Sequence, residues 1–258
     1  MSNVVINSYT SFPSGLTYPD SLGTSGNLDV ESSVTLDTTN EKLGSGCIDG
    51  NGDNCHNDSV DVLGSGSWNK YSFGGWIRPA TTAGQYAIVL SANDGNTNNF
   101  QAIQTRADGK FQVTCGDNST QVGLNTAATY STDTWYLVIA VYDGTESGTD
   151  RLKCSVNGSF SGTAGGTPAT SYSIGTKTFL FEQANSGQPV FTGLLDGLFF
   201  MNTIITQTQI NALYASGSGA LLPDVITDTT GIKLYFDCES IASSTLTNNA
   251  VPTWWTEN

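Results

Sequence analysis

The chain has 258 residues, enough for one large β-sandwich, and only 12% of them are charged, against about a quarter in an average domain, so uncharged polar side chains must cover most of the surface. With 23 acidic and 9 basic residues the formal net charge is -14, which repels a phosphate backbone or an anionic membrane and argues against nucleic acid as a partner. The five cysteines, Cys47, Cys55, Cys115, Cys154 and Cys238, are odd in number and lack a CxxC pair, so neither a complete disulfide framework nor a zinc ribbon is indicated.

Residues 1–41 are rich in Ser, Thr, Gly and Pro and read as an extended N-terminal arm. The opening MSNVVINSYTSFPSG has neither the basic nor the apolar region of a Sec-type signal, so lysis or another route of exit is expected. From residue 42 the chain alternates short β-patterned runs with Gly, Asn or Asp turns. The runs are Tyr71–Arg78, Tyr86–Ala92, Phe100–Thr105, Lys110–Cys115, Trp135–Tyr142, Arg151–Val156, Thr178–Phe181 and Leu194–Met201. Asp108-Gly109 lies between two of them and predicts a two-residue type I′ hairpin turn, in which both central residues take positive φ; Asp143-Gly144 and Asn157-Gly158 are read in the same way.

Leu152, Cys154 and Val156 alternate with Arg151, Lys153 and Ser155, which predicts one buried and one wet face. WYLVIAVY (Trp135–Tyr142) is apolar on both faces, so it predicts a central strand whose second face is covered by loops or a neighbouring subunit; it is too short to span a bilayer. Cys115 and Cys154 fall in strands that could meet across a sheet. A helix is predicted over Thr206–Ala215, with Thr206 as N-cap and Gln209 completing a capping box. Beyond it, residues 218–258 read as a C-terminal tail in which Ile232, Leu234 and Phe236 alternate with Lys233 and Tyr235. That segment predicts a strand added to a sheet of its own subunit or of a neighbour.

Four segments in order resemble landmarks of the laminin G-like, concanavalin A-like jelly rolls: KLGSGCIDGNGDN (Lys42–Asn54), YSFGGWIRP (Tyr71–Pro79), TWYLVIAVYDG followed by RLKCSVNG, and FTGLLDGLFFMNTIITQTQINALYASG (Phe191–Gly217). The resemblance covers residues 42–217 and implies an all-β fold, a two-sheet antiparallel jelly-roll sandwich with one short helix and six or seven strands per sheet. It does not imply a chemistry, because this fold hosts lectins, adhesion domains, glycosidases and virion proteins. Family members usually open with a strand reading aliphatic-x-aliphatic-Tyr-x-Phe-Asp, whereas here the best candidate, GIKLYFDCES (Gly231–Ser240), follows the helix.

Candidate chemistry is sparse. His56 is the only histidine and sits in DNCHND, read as a polar turn with a solvated side chain. The Glu-x-Asp-x-Glu strand of laminarinase-like relatives is missing, and the nearest pairs, Asp29 with Glu31 and Asp237 with Glu239, lie in the terminal extensions. Asp49, Asn51 and Asp53 offer hard oxygen ligands at alternate positions, as calcium loops do, with a hydrogen-bonded turn as the alternative. The resemblance adds Asp196, which relatives use to tie strands or bind an ion. Trp68, Tyr130, Trp254 and Trp255 fall outside the strand cores and are candidate sugar-stacking residues, with docking against a domain or neighbour as the alternative reading of the tryptophans; Trp76 and Trp135 are expected in the core.

These readings favour a non-catalytic virion surface protein, a decoration, fibre or receptor-binding component, located on the virion surface. Its expected partners are copies of itself, other virion structural proteins and a cell-surface glycan, and its expected cofactor is structural calcium. The alternatives are a secreted or cell-surface carbohydrate-binding module, in an extracellular location, and a polysaccharide hydrolase, which the missing carboxylate motif disfavours.

Overall fold

The computed structural model describes residues 29–30, 35–44, 46–50, 55–57, 66–91, 100–116, 121–174, 177–180, 190–228 and 231–236. Their strands form two antiparallel sheets and a small ribbon. Across the first sheet lie Asp29–Val30, Cys55–Asn57, Lys177–Leu180, Gln85–Ser91, Phe100–Thr105, Phe111–Gly116, Gln121–Asn125 and Thr163–Ala164. The second runs Ser159–Phe160, Leu152–Val156, Tyr136–Asp143, Lys70–Pro79, Gly193–Met201, Cys47–Asp49 and Thr35–Asp37, and Ile232–Phe236 also pairs with Gly193–Met201. Gly66–Trp68 and Tyr172–Ile174 make the ribbon. The all-β two-sheet sandwich expected from the sequence is the observed architecture, with a short α-helix at Gln207–Tyr214, one α-helical turn at Leu222–Val225 and 3-10 turns at Gly148–Arg151 and Ala215–Gly217 among the described residues.

Side-chain alternation explains how the layers close. Along Tyr136–Asp143, Val138, Ala140 and Tyr142 enter the core between the sheets, where they meet Tyr71, Phe73, Ile103, Val113 and Leu152. Leu137, Ile139 and Val141 point the other way, into a second core closed by Ile210 and Leu213 of the helix and by Leu222, Ile226, Ile232 and Tyr235 beyond it. The strand is therefore apolar on both faces because the chain's own helix and tail roof the outer one. The helix is held at its start by Thr206, whose hydroxyl accepts the Gln209 N–H while the Gln209 side chain accepts the Thr206 N–H; such a cap stabilises by about 1 kcal/mol.

Several local expectations are corrected. Asp29–Val30 adds to the first sheet and Thr35–Asp37 to the second, so these parts of the arm read over residues 1–41 are docked. His56 is in the strand Cys55–Asn57, between Asp29–Val30 and Lys177–Leu180, and not in a turn. Cys115 and Cys154 are buried and lie in opposite sheets, which rules out pairing across one sheet, and burial pushes the Cys154 thiol up to about 12. Of the three turns, only Asn157-Gly158 has positive φ at both central residues, 51° and 86°. In the Asp108-Gly109 turn only Gly109 is left-handed, Gly109 N–H bonds Arg106 O, and Arg106 N–H bonds Lys110 O, giving a three-residue loop with a glycine bulge. Asp143-Gly144 opens a turn closed by Glu146 N–H to Asp143 O, and neither residue has positive φ.

The tail strand Ile232–Phe236 pairs with Leu198–Met201 of its own chain. It shares that edge of Gly193–Met201 with Cys47–Asp49, which pairs with Leu194 and Leu195 further along. Between the two stretches the long strand bulges at Gly197, whose φ of 54° suits glycine; a Cβ there would come within 2.7 Å of the Leu43 side chain.

Candidate functional site

Asp196 precedes that bulge and is 1% exposed. Its Oδ2 accepts the backbone N–H groups of Lys42 at 3.0 Å and Leu43 at 2.8 Å, so the carboxylate ties the entry of the domain to the strand Gly193–Met201. Lys42 extends the tie: its Nζ lies 4.4 Å from the centre of the Trp76 ring and donates to Gly217 O after the helix. Asp196 Oδ2 is thus engaged by two backbone amides, an arrangement that suits a strut between segments far apart in the chain.

Asp49 lines an open cleft of about 480 Å³ together with Asp37, Arg78, Asp133, Thr192 and Gly193. Two of these carboxylates are committed. Asp37 Oδ1 accepts Thr39 N–H at 2.7 Å and Asn40 N–H at 3.0 Å, and Oδ2 accepts the Asn40 side-chain amide at 2.8 Å. Burial pushes its pKa up, but these hydrogen bonds, Asn40's side chain foremost, together hold it below the usual carboxylate range. Asp133 Oδ1 is 3.6 Å from the Arg78 guanidinium, whose Nε–H donates to Asp133 O at 3.1 Å. Among the described residues no group of three or more His, Cys, Asp and Glu is arranged to hold a metal ion; Asn51 and Asp53, two of the candidate calcium ligands, lie outside them.

A second cavity, of about 290 Å³, opens where the loop after Asn125 meets the Asn157-Gly158 hairpin. Phe111, Tyr130, Tyr136 and Phe160 supply aromatic surface, Asn157 and Ser159 supply polar groups, and every lining residue is uncharged. The floor is rigid. Tyr130 packs on Phe111 at 4.9 Å between ring centres and donates its hydroxyl to Thr81 O, while Tyr136 meets Phe111 edge-on and accepts Ser131 N–H at its hydroxyl. Burial is the largest influence raising the Tyr130 pKa, and the Asp108 carboxylate adds to it. Asn157 Oδ1 accepts Leu137 N–H at 2.9 Å, and Phe160 on the wall is the one exposed large apolar side chain among the described residues, at 44%.

The candidate sugar-stacking residues therefore separate. Tyr130 is 6% exposed and belongs to the groove floor. Trp68 leans inward, stacked on Phe200 at 5.1 Å against the inter-sheet core. Trp254 and Trp255 lie outside the described residues. Of the two tryptophans expected in the core, Trp76 is buried on the outer face of the second sheet, whereas Trp135 is only partly buried and donates Nε1–H to Asn40 O. Sequence reasoning missed Tyr136, Asn157 and Phe160. The available signal was NGSF, an aromatic directly after an Asn-Gly turn, on a strand too short to bury a face of its own.

Among the described residues no helix is long and apolar enough to cross a membrane. No curated protein matches the chain in sequence. Solved structures do share its fold. The binding domain of botulinum neurotoxin serotype G superposes with a TM-score of 0.56 at 14% identity, over 76% of this chain and 48% of that one. Domain 4 of an extracellular arabinanase from Geobacillus stearothermophilus, solved with arabinotriose, gives 0.52 at 18% identity, over 79% of this chain and 91% of that domain. Full-length tailspike protein 2 of an Escherichia coli O157:H7 bacteriophage gives 0.54 at 13% identity, over 84% of this chain and 30% of the tailspike. This chain thus spans about half of the neurotoxin domain and under a third of the tailspike. A family profile described as the concanavalin A-like lectin/glucanases superfamily matches residues 49–211, which hold the central hairpin, the strand Gly193–Met201 and the start of the helix: the chain belongs to the concanavalin A-like lectin/glucanases superfamily.

Proposed function

We propose that the chain is a non-catalytic recognition module displayed on a virion surface, as a decoration, fibre or receptor-binding component that binds cell-surface glycan and assembles with copies of itself or with other virion proteins. The observation that carries the non-catalytic part is what the described carboxylates do. Asp37, Asp133, Asp143 and Asp196 are each held in hydrogen bonds or ion pairs. Burial raises the Asp143 pKa, yet hydrogen bonds from Thr145 and the Lys70 ammonium outweigh it and lower it overall, as the turn bonds do for Asp37. A general acid needs the opposite shift, so Asp37 and Asp143 suit scaffolding. The recognition part is supported by the superfamily fold and the uncharged aromatic groove, and the virion part by the same fold in a bacteriophage tailspike. Structural calcium at Asp49, with Asn51 and Asp53 as further ligands, is part of this reading.

Mass spectrometry of purified particles tests the location, and incubation with laminarin, agarose or chitosan tests the chemistry. The expected results are the chain in particles and no new reducing ends. Its recovery only from the cell envelope or medium would favour a secreted carbohydrate-binding module, and turnover abolished by Asp49→Asn would make it an enzyme.

A further inference from the structure

The proposed function leaves the site and the kind of glycan unassigned. The groove beside the Asn157-Gly158 hairpin supplies both, an assignment that rests on the recognition reading. An uncharged sugar ring has an apolar face of C–H groups and a rim of hydroxyls, so it binds where an aromatic side chain stands beside fixed polar groups. Phe160 provides the exposed ring. Asn157 has its Oδ1 locked by Leu137 N–H, which fixes the amide plane and leaves its Nδ2 hydrogens for a ligand hydroxyl. The Tyr136 hydroxyl accepts Ser131 N–H and keeps its own hydrogen to donate, and Ser159 adds a further hydroxyl. These groups are preorganised, since the rings below them are packed against one another and the hairpin holds Asn157 at φ 51°.

Charge decides the class of sugar. No cation lines the groove, and two arginines of this part of the chain are ion-paired: Arg106 with Asp108 at 3.4 Å and Arg78 with Asp133 at 3.6 Å. A sialic or uronic acid carboxylate would therefore find no cation among the lining residues, on a chain of net charge -14. The cavity, about 290 Å³, is at the lower limit of the roughly 300–1,000 Å³ usual for small-ligand sites, which suits one ring rather than a chain. We infer that the groove formed by Tyr136, Asn157, Ser159 and Phe160 binds a single uncharged sugar ring and rejects acidic saccharides.

The full chain should be titrated with neutral gluco-, galacto- and manno-configured disaccharides and with sialylated and glucuronate-containing ones, followed by saturation-transfer NMR and calorimetry. The variants are Phe160→Ala, which removes the ring, and Ser159→Trp, which fills the groove; both positions are exposed, and circular dichroism checks the fold. The expected result is binding of at least one neutral sugar, weakened roughly three- to tenfold by Phe160→Ala and lost in Ser159→Trp, with no binding of the acidic sugars. Neutral-sugar binding that both variants leave unchanged overturns the groove assignment while leaving the recognition reading intact. Acidic sugars bound as well as neutral ones overturn the selectivity. No saccharide bound by the wild type overturns both the inference and the recognition reading.

Discussion

Asp196 and Leu43 stand 153 positions apart in the sequence and meet through one buried hydrogen bond, the carboxylate Oδ2 accepting the Leu43 amide at 2.8 Å. The same oxygen accepts Lys42 N–H, so removing the carboxylate strands two buried or half-buried donors at once. Asp196→Ala is expected to lower stability in urea unfolding by about 2–5 kcal/mol, and Asp196→Asn, which keeps an acceptor oxygen, by less. A loss below ~1 kcal/mol for the alanine variant would mean that the tie is incidental.

The tail gives a second prediction. Ile232 is 1% exposed in the outer core, and its strand covers the edge of Leu198–Met201. Ile232→Ala should cost about 2–5 kcal/mol, as a buried large-to-small change does. Deleting residues 221–258 should expose both the edge and the apolar face over Leu137, Ile139 and Val141, and the product should aggregate in light scattering. A truncated chain that stays monodisperse with an unchanged melting temperature would make the roof dispensable.

Alkaline pH should reveal the tyrosine cluster in the inter-sheet core. Tyr71 stacks on Tyr142 at 4.7 Å, and Tyr142 lies 5.1 Å from Tyr172. Burial is the first cause raising all three pKa values, and the Cys115 thiol is the second. In the unfolded chain a tyrosine releases its proton near pH ~10, while the folded chain retains it. Above about pH 10 the folded state therefore binds more protons, so its stability is intact below that pH and falls as pH rises further. Phenolate absorbance should show the exposed tyrosines titrating first and these three only with unfolding. A smooth titration of all the tyrosines, with near-UV dichroism preserved, would contradict the buried cluster.

Calcium is tested by linkage. If an ion is held at Asp49, Asn51 and Asp53 only in the folded chain, EDTA should lower the melting temperature, added calcium should restore it, and Asp49→Asn should blunt both responses. An unchanged melting curve with no calcium copurifying would leave that segment as a turn.

The sandwich was legible because its strands carry their own evidence. Phe100–Thr105 is found where the pattern puts it, Tyr136–Asp143 within one residue, and Thr206 with Gln209 forms the capping box that its spacing specifies. Short edge strands such as Ser159–Phe160 and Thr163–Ala164 were not legible, because two residues carry no periodicity and exist only where a long neighbour offers a free edge. His56 was misread for a related reason: a polar segment can be a strand when both flanking strands supply its hydrogen bonds. At the candidate site, Tyr130 was legible as an aromatic outside the strand cores, but its partners were not. Tyr136 and Asn157 are brought together by sheet register, and the stacking of Trp68 on Phe200 is a long-range contact that no local pattern announces.

The long strand Gly193–Met201 is flanked on one edge by Cys47–Asp49, made early, and by Ile232–Phe236, made late. The first of these precedes it in the chain, but the Leu198–Met201 half of that edge gains this partner only when residues 232–236 are present and turn back on it. Such high-separation pairing makes folding slow relative to a local hairpin and leaves an apolar edge open on the nascent chain. Closure of this edge by Ile232–Phe236 is therefore expected to follow formation of the central hairpin, whose strands lie earlier in the chain.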